Sequence, residues 1–261
     1  MQKFIVVGNF RFLGFYLCKR LLEEGYEVVG IDWGSGDEAA FESKFLEVGR
    51  NGNFSYLPMD EWQREGSEDP EAGLLVSYYD FIKSGMTAGE EWNMLNAFSQ
   101  ESGWAKQAVF FLPRGYSPGI PADIFGHSNC RKVSLPTIYG PWQPAHMCFQ
   151  AAIEGRSKEE ISEICKSECN DDAIFAEDLM QIIPSILKGR EQEISVWSDA
   201  PRSWQQCAEQ VGIEYPPGDF LDGVPREHSG SQLLVPVLTT PENGILKQTE
   251  HFMKFQQLSR W

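Results

Sequence analysis

The stretch from Phe4 to Trp33 constrains this chain more than any other. Phe4, Ile5, Val6 and Val7 form a short apolar run closed by Gly8, and Leu13 to Glu24 then places Leu13, Tyr16, Leu17, Leu21 and Leu22 on one side of a helix. Gly25 ends that helix. Tyr26 to Ile31 rebuilds an apolar strand that finishes on Asp32, twenty-four positions after Gly8. A strand, a glycine turn, a helix and a second strand with a terminal carboxylate form the mononucleotide half of a dinucleotide-binding fold.

Each part answers a chemical need. The helix start after Gly8 offers free N–H groups and a partial positive charge to a pyrophosphate, and Asp32 can accept hydrogen bonds from both ribose hydroxyls. A carboxylate there repels a 2′-phosphate, so NAD is expected over NADP. The turn departs from the usual glycine-rich pattern: it reads Gly8, Asn9, Phe10, Arg11, Phe12, Leu13, Gly14, with two glycines instead of three. Arg11 stands where a glycine would let backbone approach the phosphates. A cation at a helix N-terminus is unfavourable without an anion beside it. Arg11 therefore clamps a phosphate, fills the vacant site itself, or points into solvent.

At 261 residues the chain can bury a large core, and one α/β unit with a smaller annex is the default at that length. Twenty-two basic against thirty-eight acidic residues give a formal charge of −16, which disfavours nucleic acid and anionic lipid. No apolar run approaches the length of a membrane span, and Met1, Gln2 and Lys3 lead straight into a strand, so the cytoplasm is the expected compartment. The six cysteines, Cys18, Cys130, Cys148, Cys165, Cys169 and Cys207, include no CxxC and read as reduced thiols. Cys165 and Cys169 lie one helical turn apart, a spacing for which packing is a better explanation than a metal or redox pair.

Along the rest of the chain, helices are expected at 37–50, 90–100, 157–167, 176–187, 203–211 and 241–258, and strands at 53–57, 108–112, 132–138 and 193–197. The fourth apolar run, 74–79, carries Tyr78 and Tyr79 where a cofactor should lie. Residues 61–72 read as a surface connection and 216–237 as loop. Strands and helices alternate without repeats, which predicts a doubly wound parallel α/β sheet, Rossmann-like, with a small C-terminal annex of the substrate-binding type. The expected division is 1–138 plus 170–190 for the nucleotide-binding part and 139–169 plus 191–261 for the annex.

These residues resemble the extended short-chain dehydrogenase/reductase superfamily, the group that contains NAD-dependent nucleotide-sugar epimerases and dehydratases. The first segment carries the resemblance from Cys18 to Asp32. Met59 and Asp60 are similar to the place where the family's acid meets the adenine amino group. The run from Ser134 to Pro141 resembles the family's strand and YGP turn, and 172–179 resembles the segment that follows. Trp197 to Asp199 with Ser203 and Trp204 look like the substrate-domain strand and helix start, and 240–244 like the terminal helix cap. The resemblance implies a cofactor site of Gly8, Phe10, Arg11, Phe12, Leu13, Gly14, Asp32 and Asp60, with Arg202 or Arg226 as phosphate contacts from the annex. No metal is implied.

The family's redox chemistry uses a Ser or Thr after the fifth strand, and a Tyr whose pKa is lowered by a Lys one helical turn later. After Leu112 this chain reads Pro113, Arg114, Gly115, Tyr116, Ser117, Pro118, and the region that follows contains no Tyr-x-x-x-Lys. Only eleven residues, 120–130, stand where the catalytic helix belongs, and Pro121 and Gly126 interrupt them. Tyr116, Ser117 and Tyr139 are the remaining hydroxyl candidates. Three function classes follow. The first is a degenerate, redox-inactive relative that binds a nucleotide, a nucleotide-sugar-like molecule or a partner protein in an accessory or regulatory role. The second is an enzyme using Asp123, His127 or Cys130 of the 113–130 loop as acid, base or nucleophile. The third is a working NAD-dependent epimerase or dehydratase.

Overall fold

The structure is a computed structural model that describes residues 2–33, 37–65, 69, 71–85, 106–115, 129–214 and 230–258. By compactness the chain divides into two units, the first comprising Met1–Leu112, Tyr116–Val133 and Arg190–Gln192, the second Pro113–Gly115, Ser134–Gly189 and Glu193–Trp261.

The first unit holds all or most of β1 (Lys3–Val7), α1 (Phe12–Glu23), β2 (Glu27–Asp32), α2 (Glu38–Val48), β3 (Phe54–Pro58), α3 (Met59–Glu65), β4 (Gly73–Val76), α4 (Tyr78–Lys83), β5 (Gln107–Pro113) and β6 (Cys130–Leu135). These strands lie in the order β3-β2-β1-β4-β5-β6, with β1 parallel to both β2 and β4. That order reverses between β1 and β4, the arrangement of a doubly wound dinucleotide-type sheet. Ile5, Val7, Ile31, Leu74, Val76, Ala108, Phe110 and Leu112 face one side of it, where Met59 and Trp62 of α3 and Tyr78 and Phe81 of α4 cover them. The alternate residues Phe4, Val6, Val28, Leu75, Val109 and Phe111 are equally buried. A parallel sheet covered on both faces explains why its strands read as continuous apolar runs.

Two expectations for this unit change. The start of 61–72 is helical: Met59 and Trp62, three apart, are both buried in the core, so this turn packs instead of merely connecting. Tyr78 and Tyr79 do not extend β4. The strand ends at Val76 and both tyrosines open α4, fully buried, with Tyr78 in the core beneath β1 and β4. The expected helix at 90–100 lies outside the described residues.

The second unit holds β7 (Thr137–Tyr139), α5 (Cys148–Ile153), α6 (Lys158–Lys166), β8 (Ala173–Phe175), α7 (Ala176–Leu179), α8 (Ile183–Lys188), β9 (Glu193–Ser198), α9 (Ser203–Gln210), β10 (Ser231–Val235) and α10 (Pro241–Leu258). The run read as one strand over 132–138 is split at Pro136, which has no N–H to give to a ladder. β7 pairs in parallel with β8. Residues 170–189 cluster with this unit because Asp172 is tied to it from three sides: its carboxylate accepts from Ser198 N–H at 2.8 Å and Ser203 Oγ at 2.7 Å, and its carbonyl accepts from Thr137 N–H at 3.3 Å. The helix expected over 176–187 is interrupted by a 3-10 turn at Met180–Ile182, and Pro184 sits in the first turn of α8, where a missing N–H costs nothing. β10, parallel to β9, lies inside the stretch read as loop. It begins with Ser231 and Gln232, and only Val235 is buried, so its apolar pattern is weak.

Ser157 and Glu160 close a reciprocal capping box on α6, and Asp37 caps α2 by accepting from Ala40 N–H at 3.0 Å. α10 joins the body of its unit through three buried amides. Gln248 accepts from Gly140 N–H at 2.9 Å and donates to Gln143 Oε1 at 2.8 Å and Gln150 Oε1 at 2.9 Å. None of the described helices is long and apolar enough to cross a membrane.

Candidate functional site

The carboxyl ends of β1, β2 and β4 converge on the turn after Gly8, the place where such a sheet binds ligands. Gly8 takes φ +83°, a conformation open to glycine, and its N–H donates to Ile31 carbonyl at 2.7 Å. Gly14 is required for another reason: a Cβ there would lie 2.0 Å from the Gly8 carbonyl oxygen. The two glycines of the sequence pattern are thus the ones the turn needs.

The functional groups of the turn are engaged by the chain itself. Asp32, buried, accepts from Phe10 N–H at 3.1 Å, Trp33 N–H at 2.8 Å and Arg11 Nε at 3.1 Å. The Arg11 guanidinium lies 5.6 Å from the centre of the Phe81 ring, which in turn meets Trp33 edge-on at 5.1 Å. The ring of Phe81 also stands against Gly8, 3.2 Å from where a Cβ would be.

At the helix start, α1 has no side-chain cap of its own at Arg11. Asp80 of α4 supplies one. Its carboxylate accepts from Leu13 N–H and Gly14 N–H, both at 2.9 Å, and from Ser77 Oγ at 2.7 Å. Leu13 and Gly14 are the second and third residues of α1, whose N–H groups have no partner within the helix. Burial pushes the Asp80 carboxyl up to about 6, against the opposing pull of these hydrogen bonds and of Lys44. Lys44, also buried, donates to the carbonyls of Phe10 at 2.8 Å and Arg11 at 3.2 Å, and burial lowers its ammonium to about 8. Asn9 is fully buried with neither amide atom hydrogen-bonded; its side chain fills the space over Gly30, where a Cβ would come within 2.4 Å of Asn9 Nδ2. The Phe10 ring packs between Phe41 at 4.6 Å and Tyr56 at 5.2 Å, with Phe45 and Phe54 beyond.

Phe10, Arg11, Phe12, Leu13 and Gly14 therefore gather with Gly8 and Asp32 around one turn. Asp60 lies exposed in the first turn of α3. Of the catalytic candidates, Cys130 is the first residue of β6, buried in the core at the end of the strand opposite the one that faces ligands. Tyr139 is a core residue of the second unit. Its ring packs on Phe149 and Phe175, its hydroxyl bonds with Cys207, and burial pushes the phenol far above its ordinary range. Tyr116, Ser117, Asp123, His127 and Arg226 lie outside the described residues. Arg202 precedes α9 in a left-handed conformation, φ +58°.

Sequence reasoning missed three groups. Asp80, the cap of α1, lies 66 residues from Gly14 along the chain, and no local pattern marks it. Tyr79 and Lys83 form a Tyr-x-x-x-Lys spacing on α4, ahead of β5 in the chain; Tyr79 is fully buried, so its phenol is not presented to a ligand. Arg114, directly after β5, is buried in the second unit. It donates to Asp171 at 2.8 Å and to the Val196 carbonyl, lies 3.4 Å from Asp172, and stacks 3.5 Å over Trp197. No group of His, Cys, Asp or Glu able to hold a metal occurs among the described residues.

No family model matches the sequence. An uncharacterized 37.6 kDa protein of Escherichia coli O111:H- is 37% identical over 69 residues, which are 26% of this chain and 21% of that relative's length. Among solved structures, the chain is similar to dTDP-glucose 4,6-dehydratase from Bacillus anthracis in complex with NAD (TM-score 0.59, 10% identity, 98% of each chain covered). It is also similar to UDP-glucose 4-epimerase from Thermotoga maritima with UDP-glucose (TM-score 0.55, 13% identity, 98% of this chain and all of that one). At these identities the likeness shows the fold.

Proposed function

We propose that this chain, which has the fold of the extended short-chain dehydrogenase/reductases, is a relative of the nucleotide-sugar epimerases and dehydratases whose dinucleotide crevice is filled by its own side chains. It serves as an accessory or regulatory protein instead of a redox catalyst. The observation that carries this reading is the hydrogen-bonding of Asp80 to Leu13 and Gly14. A pyrophosphate needs the N–H groups at the start of α1, and here a buried carboxylate accepts from two of them and adds charge repulsion. Arg11 on Asp32 supports the same conclusion from the ribose side, since the acid that would accept from ribose hydroxyls already accepts from three donors.

NAD is the cofactor such a fold would take, and Asp80 and Arg11 occupy hydrogen-bonding groups that it would need. With those side chains moved aside, Gly8, the N–H groups of Phe12 and Leu13, and Asp32 would hold it. A second reading, an NAD-dependent nucleotide-sugar enzyme, is favoured by the position of Gly8 and Asp32 at the strand ends and by the NAD and UDP-glucose in the names of the similar structures.

Titration with NAD, NADH and UDP-glucose while following melting temperature separates the two. Wild type is expected to show no shift up to roughly 1 mM dinucleotide, and Asp80→Ala with Arg11→Ala to gain one. A clear rise in the wild-type melting temperature with NAD, followed by a change in nicotinamide absorbance on adding nucleotide sugar, would overturn the first reading in favour of the second.

A further inference from the structure

One edge of the second unit is an open strand. Among the described residues β10 pairs with β9 and with no other strand. Asp199 N–H donates to the Val235 carbonyl at 3.0 Å, so the backbone polar groups of Val235, and with them those of Leu233 and Ser231, face β9. These groups alternate in direction along a strand, and the N–H and C=O of Leu234 therefore point away from the sheet. The strand is held at both ends. Gly230 takes φ +107° and lies so close to β9 that a Cβ would stand 2.5 Å from the Glu193 carbonyl oxygen. Beyond the strand, Leu238 N–H and Thr239 N–H donate to Asp178 at 3.1 Å and 2.9 Å. The open edge is thus a fixed template.

Strand edges are ordinarily blunted by charge, by proline or by cover. In a chain with 22 basic and 38 acidic residues, the stretch from Ser231 to Thr240 contains no charge at all. Its one proline, Pro236, falls after the strand and leaves the Leu234 N–H in place. Leu234 is 49% exposed, and Val237 and Leu238 carry the apolar strip onward at 38% and 66%. Charge decides which molecule suits such a strip. A net charge of −16 draws basic partners to the acidic surface, and it sets two copies of the chain against each other everywhere except where both are neutral. Turned antiparallel about a twofold axis, the strip meets itself, neutral against neutral and donor against acceptor. Independently of the crevice in the first unit, we propose that a second copy of this chain docks on β10, with the twofold axis passing at Leu234.

In this pairing Leu234 and its counterpart exchange both backbone bonds, each N–H donating to the other's carbonyl. Their side chains then lie on the same face, about 5.5 Å apart at Cβ, and cover leucine surface that the single chain leaves in water. Each copy spends the same edge, so assembly closes at two. The contact is short and uncharged, and a dissociation constant of roughly 10 µM is expected for it. Salt should tighten it, by screening the repulsion between the two acidic bodies; a contact built from ion pairs would loosen instead.

Sedimentation equilibrium of the full chain from about 1 to about 100 µM, at low and high salt, tests this. Wild type is expected to pass from monomer to dimer over that range, and to associate more tightly at high salt. Leu234→Pro removes the outward N–H without touching the ladder to β9, and Leu234→Lys brings two ammonium groups together at the axis. Each should weaken association on the order of 100-fold. Leu234→Lys alters an exposed side chain only, so it should keep the wild-type circular dichroism and melting temperature, and it decides the matter if Leu234→Pro fails to fold. A wild type that stays monomeric at about 100 µM would overturn the proposal and leave the edge to a strand of another protein. A dimer that loosens with salt, or one that survives Leu234→Lys, would overturn it by placing the contact on another surface.

Discussion

The carboxylate of Asp80 bridges the backbone N–H groups of Leu13 and Gly14, 67 and 66 residues distant in the chain, at 2.9 Å each. The start of α1 is thereby capped by a different helix. A full negative charge is placed against the positive end of a helix dipole, in a setting that excludes water.

This contact makes stability depend on pH. The folded value of Asp80 is raised from 3.8 to about 6, so the native state binds the proton more tightly than the unfolded one. The contribution of Asp80 is therefore most favourable below pH 4, falls as pH climbs through 4 to 6, and is level above that. The size is on the order of 3 kcal/mol. Denaturant midpoints measured across this range should show the decline in wild type and lose it in Asp80→Asn.

Arg11→Ala should cost about 1 kcal/mol. Arg11 keeps a quarter of its side chain exposed, which weakens the pair, and Asp32 retains the N–H groups of Phe10 and Trp33. Urea unfolding at low and high salt checks this, with a smaller salt effect expected in the variant.

Arg114→Lys should destabilise by about 3 kcal/mol despite keeping the charge. An ammonium cannot reach Asp171 and the Val196 carbonyl together while lying flat on Trp197. Thermal unfolding followed by tryptophan fluorescence reports both the loss and the altered setting of Trp197.

Gln248→Leu should cost roughly 2–4 kcal/mol, because Gly140 N–H loses its buried acceptor and Gln143 and Gln150 lose a shared donor. Calorimetry of the variant gives the value; an unchanged melting temperature would show that α10 is held by its apolar contacts alone.

The βαβ start was readable because its signals are local: continuous apolar runs, Gly8, Gly14 and the terminal Asp32 all lie within thirty residues. The doubly wound order followed from strands alternating with helices. The partners of Asp32 and of α1 were harder to see. Arg11 could be named as a filler of the site, since it sits in the turn, but Asp80 acts from another element and resembles any helix-opening acid in sequence. Trp62 and Met59 carried a three-residue spacing hidden by the acidic residues around them. Tyr78 and Tyr79 looked like strand because they continue an apolar run, whereas the chain turns at Ser77 to bring Asp80 under α1.

The ring of Phe10 is wedged among Phe41, Phe45, Phe54 and Tyr56, contributed by α2 and β3. Such a plug couples the glycine turn to the neighbouring layer: the turn can shift only if α2 loosens with it. Deuterium uptake at the amides of Phe10 and Arg11 should accordingly keep pace with that of α2, so that any molecule seeking entry waits on the breathing of an entire helix.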